Sequence, residues 1–412
     1  MKHLLLYISV ALAIYACAPA SSNYRKSNGI VSKQLTPSHV LYHVSKDSSY
    51  IYTQVNTNQL LYNRKNQSFP FKAAFEIEII VFQNNIAIDT LRNIFTDIDN
   101  NQEAKIILAK TSIELIEGEK YWLEINTKDA ARKETISQHI SFEKAVSVSA
   151  NYFLIKDRVT QLPIVNNVVK PGQRLTIESP LYSDSLKITY LATAFELAAA
   201  PYTANSTIRI RFDEQVDHIL NKEDNKWEFT IPEKTGIVRI SSTSGLNASY
   251  YLSVLPNSFP KLRDYESMTE LLRYITTNSE YNKIVTAENK REAFENFWLT
   301  CARNKEKAKI LINEYYLRAE RANQFFTSYK EGWKTDRGII FIVYGKPHQI
   351  YNNNNSETWL YGDETNPLSL NFTFDKQNNP YSNNDYVLRR SPTYQSSWYV
   401  AIERWRDGRI YN

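Results

Sequence analysis

Phe75-Glu76-Ile77-Glu78-Ile79-Ile80-Val81 alternates apolar and charged side chains, the two-residue rhythm of a strand with one face in a core and the other toward water. Phe75, Ile77, Ile79 and Val81 share one face, and Glu76 and Glu78 share the opposite one. Asn84-Asn85 then separates this strand from Ile86 and Ile88. Asparagine tolerates the positive φ that a tight hairpin turn demands, so the stretch predicts antiparallel sheet.

Farther along, Leu115-Ile116-Glu117-Gly118-Glu119-Lys120-Tyr121 has the L-x-x-G-x-x-Y spacing of a tyrosine corner, with Leu123 and Ile125 continuing the inward face. Such a corner bonds a buried phenol to nearby backbone in immunoglobulin-like and fibronectin-III-like sandwiches. Residues 38–147 are therefore read as an Ig-like β-sandwich. Strand rhythm returns over 148–257. Val168-Val169-Lys170-Pro171-Gly172-Gln173-Arg174-Leu175-Thr176-Ile177 reads as strand, turn, strand. Ile208, Ile210 and Phe212 alternate with Arg209 and Arg211, and Ile237–Ile240 and Tyr250–Val254 supply further strands. A second β-sandwich fits. One larger β domain is the alternative, because nothing rich in Pro or Gly divides the two near residue 148.

After Phe259-Pro260 the rhythm becomes helical, and residues 258–412 are read as an α+β domain. Ser267 and Glu270 stand at capping-box spacing ahead of Leu271, Leu272 and Ile275. Phe294, Phe297, Trp298 and Cys301 fall at i, i+3, i+4 and i+7, one stripe of an amphipathic helix. Ile312, Tyr315, Tyr316, Ala319, Ala322 and Phe326 mark another helix, with Gly332 taken as its glycine terminator. Strands are then predicted at Ile339–Val343, Trp359–Tyr361, Leu370–Phe374, Tyr386–Arg389 and Trp398–Ile402.

At the other end of the chain, Lys2 precedes an apolar run from Leu4 to Ala16 and then Cys17. At about 1.5 Å per residue the run is too short to cross a hydrocarbon core of about 30 Å, so it reads as a signal sequence and not an anchor. Ile14-Tyr15-Ala16-Cys17 resembles a bacterial lipobox. By that resemblance residues 1–16 are a lipoprotein signal peptide, and Cys17 becomes an acylated N-terminus carrying palmitate-like chains. An ordinary secretory signal cut near Ala16 or Ala20 is the alternative. Residues 17–37 read as a flexible leash. No acidic run follows Cys17, which favours the periplasmic face of an outer membrane over the cell surface.

A formal charge of +5 with acids and bases interleaved gives no footprint for nucleic acid. Only 10 of 412 residues are glycine, against an average of about 7%, and neither GxGxxG nor GxxxxGK[ST] occurs, which argues against nucleotide chemistry. Cys17 and Cys301 are the two cysteines, so with Cys17 acylated no internal disulfide forms. Cys301 lies on the apolar stripe and reads as a buried thiol, not a nucleophile. His39, His43, His139, His218 and His348 lack metal-ligand spacing. Asp97-Ile98-Asp99-Asn100-Asn101 opens like a calcium loop, but Gln102 replaces the turn glycine and Leu108 stands where the bidentate glutamate belongs. No metal and no cofactor is expected beyond the covalent lipid at Cys17.

Gly332-Trp333-Lys334-Thr335-Asp336-Arg337-Gly338, followed by Tyr344-Gly345-Lys346-Pro347 and by Glu357-Thr358-Trp359-Leu360-Tyr361, resembles the GWxTD-domain family of envelope lipoproteins. Tyr315-Tyr316 and Ala319–Asn323 ahead of the motif and Phe372-Thr373-Phe374-Asp375 beyond it support the likeness. The resemblance implies a lipid-anchored protein with β modules ahead of the named domain, and it brings no catalytic residues with it. The fold expected is thus two Ig-like or fibronectin-III-like β-sandwiches followed by an α+β GWxTD domain.

Physically the motif reads as a folding device. Trp333 buries a ring at a corner, Thr335 and Asp336 satisfy turn amides, and Arg337 pairs with Asp336 or Asp375. The other reading makes Lys334, Asp336 and Arg337 a polar recognition site. Trp398 and Trp405, with Arg389, Arg390, Arg404 and Arg406, have the residue types of an interface hot spot and also of a glycan platform. The expected function is a non-enzymatic, outer-membrane-anchored scaffold subunit that docks onto an envelope complex built around a β-barrel. Glycan or peptidoglycan binding is the alternative. A hydrolase comes third, since paired carboxylates are a three-dimensional arrangement that local sequence does not display.

Overall fold

The computed structural model describes residues 35–99, 104–145, 149–180, 185–204, 210, 212, 214–222, 226–243, 249–353, 355–366 and 368–410. Cys17, the leader and the leash up to residue 34 lie outside the described residues, as do most of the strand expected over 208–212 and part of the acidic stretch after Asp97. The chain divides into two compact units. One comprises residues 1–39, 50–113 and 118–144, and the other residues 40–49, 114–117 and 145–412.

The N-terminal region is β-sheet: β1 (Ser38–His43), β2 (Ser48–Asn56), β3 (Lys72–Gln83), β4 (Ile86–Ile98), β5 (Ile106–Glu114), β6 (Lys120–Asp129) and β7 (Glu134–Glu143). They form a three-stranded sheet in the order β1-β2-β5 and a four-stranded sheet in the order β4-β3-β6-β7. The opening alternation does what its chemistry dictates: Phe75, Ile77, Ile79 and Val81 are buried, and Glu76 and Glu78 are not. Asn84 and Asn85 adopt φ of 51° and 64° and close a two-residue turn, with Gln83 opposite Ile86.

Two further sheets follow. They are built from β8 (Leu154–Asp157), β9 (Val168–Val169), β10 (Arg174–Glu178), β11 (Ser185–Ala192), β12 (Glu214–Asn221), β13 (Trp227–Thr230), β14 (Gly236–Ser242) and β15 (Ser249–Val254). The orders are β13-β10-β8 and β12-β11-β14-β15-β9. Ile155, Ile177 and Trp227 of the first sheet share one core with Ile188, Ile240 and Leu252 of the second. Pro171-Gly172 is a turn, with Gly172 at φ 70°, but it does not close a hairpin. It carries the chain between the sheets, since β9 pairs parallel with β15 while β10 pairs with β8 and β13.

The C-terminal region is α+β. Helices α1 (Tyr265–Leu271), α2 (Asn278–Val285), α3 (Lys290–Ala302), α4 (Lys305–Phe326) and α5 (Asp336–Tyr344) precede β16 (Gln349–Asn352), β17 (Ser356–Tyr361), β18 (Leu370–Lys376) and β19 (Tyr386–Leu388), and α6 (Gln395–Arg406) ends the fold. The strands form one sheet in numerical order, and α5 and α6 contribute to the same core as its inner residues Trp359, Phe372 and Phe374.

Four local expectations are corrected. Ile339–Val343 is helix, not strand: the run is buried on every side, so no periodicity marks it, and Thr335 caps it by accepting from the Gly338 amide. Trp398–Ile402 is helix too, because Trp398, Ala401, Ile402 and Trp405 recur at helical spacing and all four are buried. Helix α1 is capped by Asp264, which accepts from the Ser267 amide, so Ser267 is inside the helix. The capping box belongs to Thr277 and Glu280 of α2. Gly332 does not terminate α4, which ends at Phe326. It opens a separate turn, Gly332–Lys334.

A bidentate pair joins α2 to α6: Arg406 Nη2 is 2.7 Å from Glu280 Oε1 and Nη1 is 2.9 Å from Oε2. Hydrogen bonding from Arg406 is the largest influence holding the Glu280 carboxyl down at about 2. A depressed carboxyl contributes stability above its unfolded pKa and loses it as pH falls toward the folded value. The gap in urea midpoint between wild type and Arg406→Met should therefore be full at neutral pH and narrow steadily below pH of about 4; a gap independent of pH would contradict the pairing.

Candidate functional site

The motif lies where three backbone segments meet without side chains between them. A Cβ on Gly332 would stand 1.9 Å from the Ala322 carbonyl oxygen in α4, and a Cβ on Gly338 would stand 1.9 Å from the Gly332 carbonyl oxygen. Glycine is required at both positions by this approach and not by dihedral angle. Groups crowded so closely must find partners. The Gly332 amide donates to Thr327 Oγ1 at 3.1 Å, and the Trp333 amide to Asn323 Oδ1 at 3.2 Å. The Trp333 carbonyl accepts from Tyr274 at 3.2 Å. Thr335 Oγ1 donates to the Gly332 carbonyl at 2.7 Å and accepts from the Gly338 amide at 3.0 Å. Trp333 itself is core.

Around this turn sits a buried set of charges. Asp336, in the first turn of α5, accepts from Arg390 Nη1 at 3.0 Å and Nη2 at 2.5 Å, and from the Leu388 amide at 2.8 Å. Both side chains of that pair are nearly inaccessible, at 3% and 2%. Arg337 bonds Glu357 at 3.0 Å and the Asn384 carbonyl at 3.0 Å, and its guanidinium stands 4.0 Å from the Tyr386 ring centroid. Glu357 also receives the Trp359 indole N–H at 2.6 Å. Lys334 lies between Glu270 at 3.3 Å and Glu331 at 3.4 Å. Burial lowers the Lys330 ammonium below its ordinary value and raises the carboxyls of Asp385 and Glu270.

The same residues grip a strap that follows β11. Lys330 Nζ donates to the Glu196 carbonyl at 3.0 Å, the Ala198 amide donates to the Lys334 carbonyl at 3.0 Å, Arg390 reaches the Ala199 carbonyl at 3.3 Å, and the Ser391 amide reaches the Pro201 carbonyl at 3.1 Å. Phe195 and Tyr329 pack with Ile237 and Leu255 in a shared apolar cluster. Residues 145–412 thus behave as one unit although their rhythm changes near residue 257.

Several predicted partners change. Arg337 pairs with neither Asp336 nor Asp375: neighbouring residues on a helix point about 100° apart, and Asp375 is engaged by Arg389 through two bonds of 2.7 Å. Lys334, Asp336 and Arg337 are buried and internally paired, which favours the folding-device reading over the recognition-site one. Trp398 and Trp405 are core residues, the latter donating to the Val343 carbonyl at 3.0 Å. The surface platform expected of them is not there. Arg390 is spent on Asp336 and Arg406 on Glu280, while Arg389 and Arg404 are exposed.

Tyr344 and Gly345 stand at the far end of α5, Pro347 just beyond it and Trp359 on β17, all buried. Gly345, at φ 82°, ends α5 and its carbonyl accepts from Tyr361 at 2.8 Å. Sequence reading missed Tyr274, Lys330, Glu331, Asn384 and the strap 196–201. Only the Asn-rich stretch Asn378-Asn379 to Asn383-Asn384 gave a signal, and it was that of an ordinary turn.

Chemistry elsewhere is quiet among the described residues. Burial pushes the Cys301 thiol up to about 11 and the His39 imidazole down to about 4. His39 shares a 2.8 Å bond with Thr53, and His43 one of 2.8 Å with Ser49. Among these residues no three or more His, Cys, Asp or Glu side chains converge as metal ligands.

A β-rich chain ending in an α+β region folded on a buried Gly-Trp-Lys-Thr-Asp turn is the class of protein this geometry defines. Residues 236–407 match the family model of the GWxTD domain, so this part of the chain carries that domain. The match begins at β14, so it takes in the last strands of the preceding sheet. None of the curated proteins matches the chain. Among solved structures, a protein described as a β-galactosidase from Bacteroides fragilis aligns at 15% identity and TM-score 0.17 over 32% of this chain and 19% of its own. Red sea bream transglutaminase aligns at 10% and 0.19 over 55% and 32%, and CBD12 from CALX1.2 at 13% and 0.13 over 59% and 86%. The chain thus spans a fifth to a third of the first two, and likenesses this remote carry no argument.

Breaking a buried pair by removing one partner costs about 3–5 kcal/mol, because the other charge stays buried alone. Asp336→Asn and Arg390→Met should each lose that much in urea unfolding, and the double variant should lose less than the sum; strict additivity would show that the two do not interact. Gly338→Ala should lose about 1–3 kcal/mol or more from overpacking against the Gly332 carbonyl, and a neutral result would contradict the close approach.

Proposed function

We propose that this protein is a lipid-anchored bacterial envelope lipoprotein, held at the periplasmic face of the outer membrane through Cys17, that serves as a non-enzymatic scaffold subunit. Its partner is an envelope complex of export, assembly or transport machinery around an outer-membrane β-barrel. In this reading the β regions are Ig-like or fibronectin-III-like modules that precede the GWxTD domain in the chain. The observation that carries it is the commitment of the motif's charges to internal bonds: Lys334, Asp336 and Arg337 knit a rigid body and leave the family signature no reagent to offer a substrate. The lipobox-like leader supplies the anchor, since two acyl chains hold a protein stably where one is marginal. Glycan binding rested on Trp398 and Trp405, whose burial removes its motive.

Extraction in mild detergent followed by affinity capture and mass spectrometry should return outer-membrane β-barrel proteins in stoichiometric amount; recovery of this polypeptide alone would contradict docking. Cys17→Ser should move the protein from the membrane to the soluble fraction. Unchanged retention would place the anchoring elsewhere.

A further inference from the structure

Strand β4 is a long free edge. It stands first in the order β4-β3-β6-β7, so its outer side has no strand beside it among the described residues. From Thr90 to Ile98 it runs in unbroken register with β3, and its one bulge residue, Ile88, which falls between the pairs Val81–Asp89 and Phe82–Ala87, lies before that stretch. Natural edges are usually blunted by proline, lysine, a bulge or short length. This nine-residue stretch has no proline, lysine or bulge, and its two charges are already paired within the fold, Arg92 with Glu78 and Asp97 with Lys105. Its solvent face instead presents Thr90, Arg92, Ile94, Thr96 and Ile98, with Ile94 at 72% and Ile98 at 44% exposure.

We propose that β4 pairs antiparallel with β4 of a second copy of this chain, across a twofold axis at Ile94. That axis sets Ile94 against Ile94, Arg92 against Thr96 and Thr90 against Ile98 on the outer face. On the inner face it sets Leu91 against Asp97 and Asn93 against Phe95. No like charges oppose one another. An axis at Arg92 would set guanidinium against guanidinium and one at Asn93 would set Asp89 against Asp97, so charge disfavours both registers. Arg92 is also already balanced by Glu78 of its own sheet at 2.6 Å. A twofold contact uses one patch twice, and this stretch is complementary to itself in the way such contacts require.

Sedimentation of the purified full chain tests the pairing. At about 100 μM, two decades above a micromolar Kd, the wild type should sediment as a dimer. Ile94→Lys should sediment as a monomer with unchanged circular dichroism. Ile94→Cys should give a disulfide-linked dimer on non-reducing gels above the wild-type background. A wild type that stays monomeric, an Ile94→Lys variant that stays dimeric, or an Ile94→Cys variant that forms no cross-link above background would each overturn the proposal.

Discussion

Contact between backbones is the constraint on which the C-terminal half depends. With Gly332 laid on the Ala322 carbonyl and Gly338 laid on the Gly332 carbonyl, α4, the turn and α5 approach more closely than side chains permit. Every amide and carbonyl inside that stack must then be satisfied locally. Asn323, Thr327, Thr335 and Tyr274 do this. The signature residues are therefore answers to a packing problem: two glycines for closeness, a threonine for the cap, a tryptophan to fill the corner.

Asp336 and Arg390 extend that constraint outward. A buried ion pair adds little net stability compared with apolar residues of the same volume, because desolvation offsets the attraction. What it supplies here is geometry. The fork of Arg390 takes both Asp336 oxygens while reaching the Ala199 carbonyl, and Asp336 also holds the Leu388 amide. One carboxylate thus fixes the start of α5, the end of β19 and the strap after β11 relative to one another. Lys330, with its Glu196 contact, makes the same link a second time.

The N-terminal strands were legible because their alternation is local: one glance at residues 75–81 separates inward from outward faces, and Asn84-Asn85 declares the turn. The run Ile339–Val343 was not, since a segment buried all round has no polar face to set its period. Thr335 ahead of Asp336 was the helix-start signal that outweighed it. Trp398, Ala401, Ile402 and Trp405 carried a plain helical stripe, and reading those tryptophans as surface came from their arginine neighbours instead of their spacing. Ion pairs spanning 54 residues, and a strap contact spanning 191, leave no trace in local sequence. The motif's identity was readable; the network it anchors was not.

Native-state hydrogen exchange tests the central claim, that the motif turn and the strap belong to one cooperative body. The amides of Ala198, Trp333, Gly338 and Leu388 should exchange only through global opening of residues 145–412, with a common free energy and a common response to denaturant. Exchange of Ala198 or Leu388 at a markedly lower free energy than Gly338 would show that the strap and β19 open independently, and would contradict the account.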